Sequence, residues 1–239
     1  MAGPDLDVYF DPVCPFCWMT SKWVRLVAAQ RPMTVHWRFI SLRLLNAGVD
    51  YDSHFPAGYE AGHTFGLKLL RVAAAVRERH GPAGVAALYE AYGEAIFERA
   101  PGAQAELQGD PAAFVGAVLE RLGLDPGAVE ALDDPARDGV VRAETDRALK
   151  VTGRDVGTPI LHFGPPDGPA FFGPVISRLP SAEDALRLWD HVSGLAGFGG
   201  FAELKRSLRE VPQLPSFGVA PGEIGAEHDW QQGRRAGTV

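Results

Sequence analysis

The sequence predicts an α/β fold: a strand–helix–strand unit, a large all-helical insertion, then a strand–strand–helix unit. Three observations predict it. Apolar residues alternate in short runs near both ends of the chain, an alanine-rich stretch of helical periodicity fills the middle, and a Cys-x-x-Cys pair marks the junction of the first strand and first helix.

Leu6, Val8 and Phe10 set the first strand, and Asp11-Pro12 breaks it. Pro15 suits a first helical position, where its fixed φ and missing N–H carry no penalty, and the helix runs through Trp18 to Ala29. Val35, Trp37 and Phe39 alternate with His36 and Arg38 to give a second strand. From about Phe55 to Thr152 the pattern turns helical. One apolar face follows Leu67, Leu70, Ala74 and Val76, and another, after Pro82, follows Val85, Leu88, Tyr89, Tyr92 and Ile96. Asp110-Pro111 and Asp125-Pro126 are helix starts, with Asp as the cap and Pro in the first position; Gly123 ends the first of these helices. Another helix runs from Arg137 to Val151 before Gly153.

Strand character returns at Ile160 to Phe163 and at Ala170 to Phe172, joined through Pro165-Pro166-Asp167-Gly168 as a hairpin. Ser181 with Asp184 opens a helix through Leu186, Leu188, Trp189 and Val192. Phe201 to Leu208 reads as a last amphipathic helix. Beyond Val211 the Pro, Gly and charge content predicts a flexible tail, or an arm that docks through Trp230. The expected division is 1–54 with 153–210 as one domain, 55–152 as an inserted helical domain, and 211–239 as the tail.

Composition narrows the function classes. The net charge is −7 and no basic run exceeds Arg234-Arg235, so the clustered cationic surface that nucleic acid requires is missing. No apolar stretch approaches the length of a membrane span. Met1 to Asp7 has neither a basic segment nor an apolar one of the secretory kind, which predicts a cytoplasmic protein.

The chemistry concentrates at Cys14-Pro15-Phe16-Cys17, which holds both cysteines of the chain. Cys14 falls at the helix cap and Cys17 one turn further in. A thiolate at the cap faces unsatisfied backbone N–H groups and the positive end of the helix dipole, and both lower a thiol pKa. Two ordinary buried cysteines, or half of a zinc site, are the alternatives. Structural zinc takes four ligands, and neither a second Cys-x-x-Cys nor a close His pair supplies the rest. No metal or bound cofactor is therefore expected. The second motif is Val156-Gly157-Thr158-Pro159, immediately before Ile160, where a cis proline would sit beside the cysteines and shape the groove for a partner sulfur. The order of elements with these two motifs is the thioredoxin arrangement. Cys14 is the expected attacking thiol and Cys17 the resolving one, with Pro15, Thr158 and Pro159 in support. Asp11 is expected to stabilise the turn before the helix, and His54 and His63 stand near the start of the insertion.

Phe10-Asp11-Pro12-Val13-Cys14-Pro15-Phe16-Cys17-Trp18, Ser41-Leu42 with Leu45-Asn46, Asp155-Val156-Gly157-Thr158-Pro159 and Phe171-Phe172-Gly173-Pro174-Val175 together carry a resemblance. The chain resembles the DsbA-like branch of the thioredoxin superfamily and, within it, the actinobacterial mycothiol-dependent nitroreductases, from about Asp7 to Pro212. The resemblance implies electrons drawn from the small thiol mycothiol as co-substrate and delivered to disulfides or small nitro-aromatic compounds. It also implies a substrate pocket near Asn46 and Tyr59. Beside the cysteines Phe16 is a candidate apolar contact, and Trp18 with Tyr59 either supplies an apolar wall or simply packs the core. One departure stands between the cysteines: Phe16 replaces the Trp of the familiar members, which keeps a flat apolar surface and loses an N–H donor. An isomerase or glutathione-transferase-like activity is a second reading, disfavoured by the presence of Cys17. A binding or chaperone module without redox chemistry is a third.

Overall fold

The computed structural model describes residues 5–229. Four strands, β1 (Leu6–Phe10), β2 (Val35–Phe39), β3 (Ile160–Phe163) and β4 (Ala170–Phe172), form a sheet in the order β2-β1-β3-β4. β1 is parallel to β2 and antiparallel to β3, and β3–β4 is the expected hairpin. All five residues of β1 are buried, as befits a central strand covered on both faces. Its one carboxylate, Asp7, meets Arg38 of β2 at 3.2 Å.

α1 (Pro15–Ala28) leads from β1 to β2, and α8 (Ala182–Ala196) packs near it, with Trp23 and Trp189 in ring contact at 5.7 Å. Between β2 and β3 come α2 (Leu42–Leu45), α3 (Tyr51–His54), α4 (Tyr59–Phe97), α5 (Ala103–Gly109), α6 (Pro111–Leu122), two 3-10 turns and α7 (Asp138–Thr152). α4 is two helical stretches broken at Gly81, whose φ of 64° lies in the left-handed region, with Pro82 starting the second stretch. α6 begins and ends where the sequence signals it: Asp110 accepts the Ala113 amide at 3.0 Å, and Gly123 takes φ 63°.

The helical residues share one apolar core with the sheet. Phe10 of β1 stacks on Tyr89 of α4 with ring centres 3.8 Å apart. Trp18 of α1 lies against Gly93, where an added Cβ would come within 2.1 Å of the indole. A glycine there is what lets α4 approach the first helix.

The C-terminal region departs from the sequence reading in two ways. Residues 201–206 form no helix, and Leu208 begins a strand, β5 (Leu208–Glu210), that pairs with β6 (Glu227–Asp229). The amphipathic pattern had no apolar surface to lie on: Leu204 is 78% exposed, and short helices depend on such burial. In residues 211–229, Leu214 is fully buried and the Gln213 amide donates to the Ser177 carbonyl at 2.7 Å, the contacts of a docked arm. The expected docking of Trp230 lies outside the described residues. Among the described residues, no helix is long and apolar enough to cross a membrane.

Candidate active site

Cys14 is the N-cap residue of α1, in extended conformation, with Pro15 in the first turn. Its Sγ accepts the Cys17 amide at 3.3 Å and the Thr158 hydroxyl at 3.1 Å. Thr158 stands in the loop before β3, and its bond to Pro159 is cis. β1–β3 pairing brings that loop alongside the start of α1, so residues 144 positions apart meet at one sulfur. Cys14 is 6% exposed and Cys17 1% exposed, and both are free thiols.

Their environments drive the two thiols apart. Burial pushes the Cys14 pKa up, but hydrogen bonds from the Cys17 thiol, the Thr158 hydroxyl and the Cys17 amide outweigh it and hold Cys14 below its ordinary value. Cys17 goes well above, first through burial and then because it donates to Cys14 and feels its charge. One buried pair thus offers a stabilised thiolate at the helix cap and a protonated neighbour one turn inward. Removing the Thr158 hydroxyl isolates one contribution. A hydrogen bond to a charged group is worth about 1.5–3 kcal/mol, so Thr158→Val is expected to raise the Cys14 pKa, as read from the pH dependence of thiolate absorbance.

Asp11 carries more than the turn the sequence assigns it. Its carboxylate accepts the Val13 amide at 3.0 Å and the Leu42 amide at 2.7 Å, tying the CPFC turn to α2. Gly66 of α4 closes over it, since a Cβ there would lie 2.6 Å from Oδ1. Burial raises its pKa from the ordinary 3.8 to about 7, with the two amide bonds opposing the rise. The native state therefore holds a proton through a window in which the unfolded chain has lost it. This contribution to stability is full below the unfolded pKa and is lost as pH rises through the folded one. Between about pH 3.8 and about pH 7, wild-type stability is expected to fall as pH rises. In Asp11→Asn that component should be flat, a comparison that urea unfolding across the range checks.

The residues expected around the substrate are placed unevenly. Tyr59, at the start of α4, is 40% exposed and has its phenol pKa raised by burial and by the negative charge at Cys14, so it stands in the field of that sulfur. It stacks on Phe55 at 5.6 Å, nearly parallel, and meets His63 edge-on at 5.7 Å. His63 bonds the Tyr51 hydroxyl through Nδ1 at 2.9 Å, and burial lowers its pKa to about 4, leaving a neutral ring. This aromatic group of Tyr51, Phe55, Tyr59 and His63 was only partly visible in sequence, where Tyr51 and Phe55 carry no motif. Asn46 caps α2 and gives its side-chain amide to the Leu42 carbonyl at 2.8 Å. Trp18 is buried, its indole N–H donated to Glu98 at 2.8 Å, which makes it a packing residue in place of an open substrate wall. Phe16 is likewise only 6% exposed. Its ring lies under the guanidinium of Arg209, 5.9 Å away, a neighbour that no local pattern signals. Among the described residues, no group of three or more His, Cys, Asp or Glu side chains is arranged to hold a metal.

Comparison with known proteins places this geometry. A model of the Rv2466c-like family, described as mycothiol-dependent nitroreductase Rv2466c, matches residues 13–206. An uncharacterized protein of Mycobacterium tuberculosis, Rv2286c, is 35% identical over 208 residues, spanning 84% of this chain and 81% of its own. Among solved structures, a 2-hydroxychromene-2-carboxylate isomerase superposes with a TM-score of 0.50 at 18% identity, over 79% of this chain and 94% of the isomerase. The cytosolic disulfide reductase DsbM from Pseudomonas aeruginosa does so with a TM-score of 0.48 at 16% identity, over 80% and 98%. The isomerase likeness shows the fold, the thioredoxin arrangement with its helical elaboration.

Proposed function

The chain belongs to the Rv2466c-like family of mycothiol-dependent nitroreductases, thiol-dependent oxidoreductases, and from that premise we propose that Cys14 and Cys17 are its redox pair. The Cys14 thiolate attacks a sulfur of the substrate disulfide, forming a mixed disulfide and releasing the other half as a thiolate. Cys17 then gives up its proton and attacks Cys14 Sγ, which releases the second half and leaves the Cys14–Cys17 disulfide. Two molecules of mycothiol return the protein to the dithiol and leave as the mycothiol disulfide. With a nitro-aromatic substrate, the dithiol supplies two electrons and two protons, and the nitro group becomes a nitroso group plus water.

The observation that carries this reading is the division of labour at one buried sulfur. Cys14 Sγ receives the Cys17 amide and the Thr158 hydroxyl, while Cys17 is held protonated. An attacking thiol needs thiolate character and a resolving thiol needs to wait. Thr158 and Pro159 line the groove for the partner sulfur, Pro15 sets the helix start, and Tyr59 with its ring neighbours offers a flat face for an aromatic substrate. Asn46, Phe16 and Trp18 act by shaping this region. We assign residues 1–54 with 153–210 to the redox domain and 55–152 to the inserted helical domain, and we place the protein in the cytoplasm, where a small-thiol pool supplies the electrons. The test presents the oxidised protein with mycothiol, glutathione and thioredoxin in turn. Mycothiol is expected to reduce the Cys14–Cys17 disulfide fastest. Equal or faster reduction by either of the others would reject mycothiol as the donor.

A further inference from the structure

Phe16 stands at the second position of α1, between the two cysteines, and it is almost fully buried. A cation from the far end of the chain stands near it. The Arg209 guanidinium lies 5.9 Å from the centre of the Phe16 ring and 6.0 Å from that of Phe172. Phe172 pairs with Ile160, the residue after Pro159, and a Cβ added at Gly157 would meet its ring at 3.4 Å. One cation therefore stands near two rings, Phe16 in the CPFC turn and Phe172 in the strand beside the Thr158-Pro159 loop.

Arg209 is held in place by its surroundings. It sits in β5 opposite His228 of β6. The next residue, Glu210, pairs with Arg178 at 2.9 Å, and Val211 donates to the Ala226 carbonyl at 2.9 Å. Gly225 allows that close approach, since a Cβ there would come within 2.3 Å of the Val211 carbonyl oxygen. Leu214 then anchors the segment in the core. The match to the family model ends at residue 206, so this whole segment lies beyond what the family model describes.

We propose that residues 208–229 form a strap that narrows the groove beside Cys14 to small-molecule disulfides and flat aromatic compounds, with Arg209 as its pin. The proposal rests on the reading of Cys14 as the attacking thiol. Exchange requires the substrate disulfide to line up with Cys14 Sγ. A disulfide in a folded protein brings polypeptide on both sides of the bond and needs room along both banks, where Arg209 stands. A small disulfide needs no such room.

The test measures access to Cys14 by size, in full-length protein carrying Cys17→Ser so that only Cys14 reacts. Its alkylation is timed with N-ethylmaleimide and with a maleimide held by a short linker on a folded carrier protein. Arg209→Ala takes the cation away from between the Phe16 and Phe172 rings and widens the approach beside them. The carrier reagent should then react about tenfold faster, with the small reagent changing less than about twofold. Glu210→Ala, which frees the same strand from Arg178, should move the ratio in the same direction. In the Cys17-containing protein, reduction of a folded protein's disulfide should rise with Arg209→Ala relative to reduction of a small one. An unchanged ratio of carrier to small reagent in both variants overturns the strap. If mycothiol fails to support turnover while the alkylation ratio still shifts, the proposed function fails and the strap stands.

Discussion

Replacing Cys14 with serine is expected to remove turnover, by at least about a thousandfold, because the reaction loses its nucleophile and a serine hydroxyl stays protonated at this site. Replacing Cys17 with serine has a different signature. The first attack still occurs at Cys14, whose sulfur keeps the Thr158 hydroxyl and the residue-17 amide as donors. Nothing then resolves the mixed disulfide. Intact-protein mass spectrometry after exposure to oxidised mycothiol should show one mycothiol adduct in Cys17→Ser, mapping to Cys14, and none in Cys14→Ser.

Gly93→Ala is expected to destabilise the packing of α4 on α1 strongly. The new Cβ would fall within 2.1–2.5 Å of three atoms of the Trp18 indole. Trp18 has nowhere to go: its ring meets Tyr89 edge-on at 6.0 Å, and its N–H is committed to Glu98. Overpacking of this kind costs about 1–3 kcal/mol and occasionally more, and the rigid ring puts this site at about 3 kcal/mol or above. Against a total stability of about 5–15 kcal/mol, that is a large fraction. Because the contact joins the redox helix to α4, the loss should appear as a lower urea midpoint together with a weaker near-ultraviolet signal from Trp18. A midpoint within experimental error of wild type would mean that α4 and α1 are not packed as described.

What could be read from the sequence is what local chemistry specifies. The alternation in β1, Pro15 behind Cys14, Asp110-Pro111 with Gly123, and the hairpin turn at Pro165 to Gly168 each signal through neighbours a few residues away. The two sulfurs were legible for the same reason, since their spacing alone puts one at the helix cap. Contacts across the chain were not. Gly93 under Trp18 looks like any helical glycine until the packing is seen, and Trp18 reads equally as wall or as packing until its N–H is found on Glu98. Residues 201–208 show the converse error, an amphipathic pattern with no surface to bury it. Arg209 illustrates it most fully: its partner rings stand in α1 and β4, and composition marked the following residues as a tail.

The central claim is that Cys14 is the thiolate and Cys17 its protonated partner, and site-resolved alkylation against pH tests it most directly. The reduced protein is pulsed with iodoacetamide across the pH range and each cysteine is followed by peptide mass spectrometry. The account predicts that Cys14 titrates below the ordinary thiol pKa of about 9 and Cys17 well above it. A Cys17 that alkylates at lower pH than Cys14 would contradict the account.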